Sequence, residues 1–233
     1  MSLIKFDSVS LGYTDSVVES LSFSVHAGDY LSIVGENGSG KSTLIKTLLG
    51  LVPLRGGEIA FGEGLSHSEI GYLPQQNAAQ SDFPASVSEV VLSGCLGKSG
   101  LIPFYSKEQR AVALSNMERL GISHIAKKCY RELSGGQQRR VLLARALCAS
   151  SRLILLDEPA AALDPAAASD MYSLISELNR GGVTVIAVLH DVSAAVEYSS
   201  HILHLSHRPR FFGTVGDYLK SDAYFQGAGG GVK

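Results

Sequence analysis

Tyr30-Leu31-Ser32-Ile33-Val34-Gly35-Glu36-Asn37-Gly38-Ser39-Gly40-Lys41-Ser42-Thr43 passes from an apolar, β-favouring stretch through a glycine-rich turn into the start of a helical pattern. Residues 35–42 fit the phosphate-binding P-loop, and they stand where that loop must stand, after a strand and before a helix. Gly35, Gly38 and Gly40, with Glu36, Asn37 and Ser39 between them, form a turn whose backbone N–H groups can converge on phosphate oxygens. The helix that follows adds partial positive charge at its N-terminus. Lys41 is placed to reach the β and γ phosphates, and the hydroxyl of Ser42, followed by Thr43, to ligate Mg²⁺. Nucleotide binding with Mg²⁺ is therefore expected. A P-loop is shared by kinases, GTPases, helicases and transporters, so residues elsewhere must decide among them.

On both sides of the loop, short β-rich runs alternate with helical patterns, which predicts an α/β fold with a mainly parallel sheet around the P-loop. Strands are expected over 30–34, 152–157 and 183–189. Residues 2–10 and 17–26, followed by the Ala27-Gly28-Asp29 turn, predict an antiparallel β flank at the N-terminus. Helices are marked by their ends: one from Gly40 to before Gly50, one after Asp164-Pro165, one after Asp191. Between Gln76 and Glu132 the pattern is helical, with capping boxes at Ser86/Glu89 and Ser106/Gln109 and a stop at Gly121. The expected organisation is one domain, with 1–75 and 133–226 as nucleotide-binding core, 76–132 as an inserted helical subdomain and 227–233 as a flexible glycine-rich tail.

The chain has 233 residues, 45% of them hydrophobic, yet no apolar run approaches the length of a membrane-spanning helix. Its start, Met1-Ser2-Leu3-Ile4-Lys5-Phe6, lacks the pattern of a secretory signal, so a cytoplasmic location is expected. A net charge of −2 without a basic run argues against a nucleic-acid partner. Cys95, Cys129 and Cys148 are odd in number and widely spaced, as ordinary thiols of a reducing compartment would be.

Leu153-Ile154-Leu155-Leu156 leads into Asp157-Glu158-Pro159, so a buried strand delivers two carboxylates to the sheet edge where ligands of open α/β sheets bind. Asp157 suits the metal, and Glu158 suits the general base that takes a proton from water attacking the γ phosphate. His190, at the end of the strand over 183–189, would stand at the same edge and could hydrogen-bond the γ phosphate or that water. An Asp-Glu pair can also merely cap a turn; the P-loop favours the catalytic reading.

Leu133-Ser134-Gly135-Gly136-Gln137, continued by Gln138-Arg139-Arg140-Val141, resembles the signature of the ABC ATPases. Tyr13, the P-loop, Gln75, this signature, Asp157-Glu158, Ala162-Leu163-Asp164 and His190 follow in that family's order over nearly the whole chain. The resemblance implies that the nucleotide is ATP and that two copies form a head-to-tail dimer in which each signature closes over the ATP on the other copy's P-loop. It further implies that Tyr13 stacks on adenine, that Gln75 senses the γ phosphate and Mg²⁺, and that Asp164 ties the protomers together. Partners implied are integral membrane permease subunits and, through them, an extracytoplasmic substrate-binding protein, with the chain peripheral at the cytoplasmic face of the membrane. From the residues alone, Ser134-Gly135-Gly136 could equally be a turn and N-cap.

The stretch from Phe83 to Gly94 looks like that of ATPases serving bacterial zinc and manganese uptake. Alternatives are an importer of iron-siderophore, haem or cobalamin, or a soluble ABC ATPase acting in assembly. His201, His204 and His207 suggest a metal site, but a three-residue step along a strand sends successive side chains to opposite faces.

Overall fold

The computed structural model describes residues 2–12, 16–62, 64–75, 83–98 and 104–228. They gather into two compact units, Met1–His67 with Thr184–Lys233, and Ser68–Val183.

In the first unit, β1 (Ser2–Gly12) lies between β2 (Ser16–His26) and β4 (Gly56–Phe61), antiparallel to both. This is the expected antiparallel flank. Leu3, Ile4, Phe6, Val9 and Leu11 of β1 are buried, and Phe6 stacks on Phe23 with ring centroids 4.1 Å apart. A register shift between Phe6 and Val9, with Ser8 at φ 51°, breaks the strict alternation that sequence periodicity relies on. The strand β3 (Tyr30–Val34) is buried throughout and pairs in parallel with β7 (Thr184–Val188) and with β8 (His201–His204). β8 continues antiparallel to β9 (Phe211–Thr214). Burying each large aliphatic side chain of such a strand is worth about 1.5–3 kcal/mol. Helix α1 (Lys41–Leu48) buries Leu44, Ile45 and Leu48 at helical spacing.

In the second unit, β5 (Ile70–Leu73) runs parallel to β6 (Leu153–Asp157). Helices α2 (Val87–Leu92) and α3 (Lys107–Arg119) carry the capping boxes expected at Ser86/Glu89 and Ser106/Gln109. Between them and β5 packs α4 (Gly135–Ala149). Gly71 of β5 makes that approach possible, because a Cβ there would stand 2.3 Å from the Ala146 carbonyl oxygen. Helix α5 (Pro165–Arg180) starts at the expected Asp164-Pro165 and buries Met171, Ile175 and Leu178.

The remaining α-helices among the described residues belong to the first unit: α6 (Val192–Tyr198), capped by Asp191, α7 (Val215–Tyr218) and α8 (Asp222–Ala228). α8 takes in Gly227 and Ala228, which the glycine-rich composition assigned to a flexible tail; the rest of that tail lies outside the described residues. No described helix is long and apolar enough to cross a membrane.

Candidate active site

In the first unit the chain leaves β3 at Gly35 with φ 144°. A Cβ at that position would stand 2.1 Å from the Leu205 carbonyl oxygen, so only glycine lets the loop pass. Gly38 and Gly40 also hold positive φ, 80° and 96°. Gly40 is the N-cap of α1 and offers no side-chain cap, which leaves the first N–H groups of the helix for an anion.

Lys41 is 6% exposed, and its ammonium donates to the carbonyls of Gly35 at 2.7 Å and Glu36 at 2.8 Å. A buried ammonium requires such acceptors, and the loop's own backbone provides them. The Ser39 hydroxyl is buried and has no hydrogen-bond partner among the described residues. That orphaned donor within a glycine turn fits a phosphate oxygen. Asn37 and Ser42 are exposed and Thr43 half-buried. Glu36 lies 3.9 Å from Arg210 Nη2. The parallel register sets Ile33 beside Val188, so Gly35 and the exposed His190, each two residues further on, leave the sheet at the same end.

The second unit repeats this arrangement with other chemistry. Leu73 of β5 pairs with Leu156 of β6, so Gln75 and Glu158 also emerge together. Gln75 Nε2 donates to Glu158 Oε2 at 2.9 Å. Asp157, the last residue of β6, is 5% exposed. Burial and the nearby charge of Asp157 push the Tyr72 hydroxyl up to about 12, so it stays protonated. Glu158 turns at φ 52°, a left-handed conformation that costs a residue with a Cβ about 1–3 kcal/mol. Such strain in a carboxylate directly after a buried strand matches a site held in shape by its surroundings.

At the head of α4, Ser134 Oγ accepts from the Gln137 amide, and the Ser134 amide donates to Gln137 Oε1 at 3.2 Å. Ser134 and Gly135 are exposed. A Cβ at Gly135 or Gly136 would meet only ordinary contacts, 3.5 Å from Leu163 Cδ2 and 3.8 Å from Ala167 Cβ. The chain's own packing therefore does not require glycine at either place, and the pair leaves a bare helix end. Asp164 Oδ1 accepts from the Ala167 amide at 2.9 Å as the N-cap of α5. Tyr13 lies outside the described residues, as does Gln76.

Two further features of the second unit stand beside these residues. Arg139, 2% exposed, donates to the carbonyls of Pro74 at 3.3 Å and Ala161 at 3.4 Å. Its one signal is a charge set on the apolar face of α4, three and four residues before the buried Leu142 and Leu143. The other is a cavity of about 560 Å³ beside the Gln75 segment, lined by Pro74, Phe83, Val90, Tyr130 and Leu142, with Glu89 and Arg145 as its charged members. Of the three histidines, His201 stacks on Phe212 and lies 3.8 Å from Asp29, while the buried His204 meets the Tyr218 hydroxyl at 3.0 Å.

The profile of the ABC transporter family matches residues 18–161. The chain is 40% identical over 214 residues to the manganese transport system ATP-binding protein MntB of Bacillus subtilis, spanning 90% of this chain and 86% of that protein. It is 36% identical over 232 residues to the zinc transport system ATP-binding protein TroB of Treponema pallidum, spanning 98% of this chain and 87% of that one. Among solved structures, an inward-facing ABC transporter assigned to the metal-chelate type superposes with a TM-score of 0.84 at 31% identity, over 94% of this chain and 86% of that chain.

Proposed function

The chain belongs to the ABC transporter family as an ATP-hydrolysing subunit, and we propose that it drives uptake of manganese or zinc through a separate membrane permease. The observation that carries the hydrolytic assignment is the Gln75–Glu158 hydrogen bond beside the buried Asp157. The cargo assignment is supported by the relatives named for manganese and zinc transport.

The N–H groups of residues 35–40 and the Lys41 ammonium would hold the phosphates, and Ser39 Oγ would gain the partner that it lacks among the described residues. Ser42, Gln75 and Asp157 would hold Mg²⁺, whose charge offsets that developing on the transferred phosphoryl group. Glu158 accepts the proton of the attacking water, with Gln75 fixing one of its carboxylate oxygens. His190 donates to the γ phosphate or the water, and Tyr13 stacks on adenine.

Ser134, Gly135, Gly136 and Gln137 would close over nucleotide held by a second copy, arranged head to tail, with Asp164 at the interface between copies. Support comes from the bare end of α4, which internal packing does not explain. The apolar cavity beside Gln75 is the docking place for a cytoplasmic helix of the permease, which makes the chain peripheral at the cytoplasmic face. An extracytoplasmic binding protein would act through that permease. The one-domain organisation, with 76–132 as its helical subdomain, belongs to the same proposal.

Coexpression with manganese and zinc permeases, purification through the permease and assay of ATP hydrolysis with metal-loaded binding protein test this. Stimulation by the loaded protein is expected. The structural likeness to a metal-chelate transporter favours a second reading, uptake of a chelated metal. Stimulation only with a chelate permease and its loaded binding protein would establish that alternative and overturn uptake of the free ion.

A further inference from the structure

Arg139 is a cation inside the second unit, and burial lowers its pKa while Tyr130 and Glu158 oppose that shift. Burying a guanidinium is costly unless its donors are used. Nη1 and Nη2 are used on two separate connections, while the buried Nε has no partner among the described residues. Pro74 directly precedes Gln75, and Ala161 closes the turn after β6 by donating its own amide to the Glu158 carbonyl at 3.1 Å. One planar fork thus grips the backbone on both sides of the Gln75–Glu158 hydrogen bond. An arginine serving only to fill space would not need both carbonyls, nor a position among the leucines of α4.

We propose that Arg139 is a positioning residue for hydrolysis: by tying Pro74 and Ala161 to α4, it keeps Gln75 within bonding distance of Glu158 and so orients the carboxylate that takes the proton from water. This rests on the assignment of Glu158 as general base. The same helix is capped by Ser134, so the segment that would approach a partner's nucleotide is tied through Arg139 to the backbone around its own base.

Two variants of the full chain test it, Arg139→Gln and Arg139→Lys. Arg139→Gln lowers kcat for ATP about 10- to 100-fold, because misplacing a reacting group by about 1 Å has effects of that size, while KM changes less than about twofold. Arg139→Lys keeps the charge but not the planar fork and recovers only part of the rate. In a cycle with Gln75→Ala, the loss from Arg139→Gln shrinks to less than about threefold, because both act through one contact. Additive losses, or an unchanged kcat, would overturn the proposal.

Hydrogen exchange gives a readout independent of turnover. Arg139→Gln is expected to speed exchange in peptides covering 71–75 and 158–163 while β6 and α4 stay protected. Exchange equal to wild type, in a protein whether or not it hydrolyses ATP, would sink the idea. A rise everywhere in the Gln variant marks lost folding and passes the decision to the Lys variant, where the same local pattern supports the proposal and its absence overturns it. An inactive wild type with that local pattern would remove the hydrolytic assignment and leave the strut standing.

Discussion

The phosphate loop after β3 and the carboxylate edge after β6 are both strand ends, but they are held by different kinds of interaction. In the loop, Lys41 bonds carbonyls six and five residues away. At the carboxylate edge, the Gln75–Glu158 bond joins residues 83 apart, and Arg139 reaches back 65 residues to Pro74. The loop is a local object shaped by glycine backbone freedom. The edge is an assembled one, strained at Glu158 and maintained by contacts from distant segments.

Removing the base breaks the assembled side alone. Glu158→Gln keeps the hydrogen bond from Gln75 possible but removes the base, so hydrolysis falls about 100- to 10,000-fold while ATP binding persists. Single-turnover hydrolysis beside nucleotide titration separates the two. Normal turnover in this variant would place the base elsewhere.

Lys41→Ala should do the reverse, acting on the local side. Losing a charge-assisted hydrogen bond to phosphate costs about 1.5–3 kcal/mol, so ATP affinity should fall about 10- to 150-fold. Titration with a fluorescent nucleotide analogue measures it. Unchanged affinity would mean that the loop's backbone alone holds the phosphates.

The same contrast separates what is legible in the amino-acid sequence from what is not. The bounds of β3, the helix opening after Gly40, the Asp164-Pro165 start and both capping boxes follow from neighbours a few residues apart, and each stands where the sequence places it. Strand β5 has only four residues, too few to show a period, and it carries Gly71 for the sake of a helix that arrives much later in the chain. Arg139 reads as one more charge after the signature; its role rests on carbonyls that no local pattern reveals. The site residues are legible by type and order, whereas their mutual support is not.

Gly35→Ala tests how local the cradle is. Its Cβ would collide with the Leu205 carbonyl, a backbone atom of a distant segment, and overpacking of that kind costs about 1–3 kcal/mol. Gly38→Ala meets nothing within 4 Å and carries only the penalty of its positive φ, about 1–2 kcal/mol. Urea unfolding of both should show the larger loss at Gly35. Equal losses would mean that Leu205 yields and that the cradle is local after all.

The smallest effect probes the wall behind the cradle. His204 pairs with Val34 across the sheet, and Leu205, which follows it, backs Gly35. Burial, with Arg210 and Lys41, holds His204 below its ordinary value of 6.5, against the pull of Glu36. The unfolded imidazole therefore takes up a proton at higher pH than the folded one. Between the depressed folded value and 6.5 the unfolded state binds more protons, so His204's contribution to stability is complete above 6.5 and is lost as pH falls through that window. One proton sets a ceiling of about 1.4 kcal/mol per pH unit. Urea unfolding from pH 7.5 to 5.5 should show a shallower decline in His204→Asn than in wild type. Identical slopes would remove His204 from the pH response and leave the cradle's distant wall to Leu205 alone.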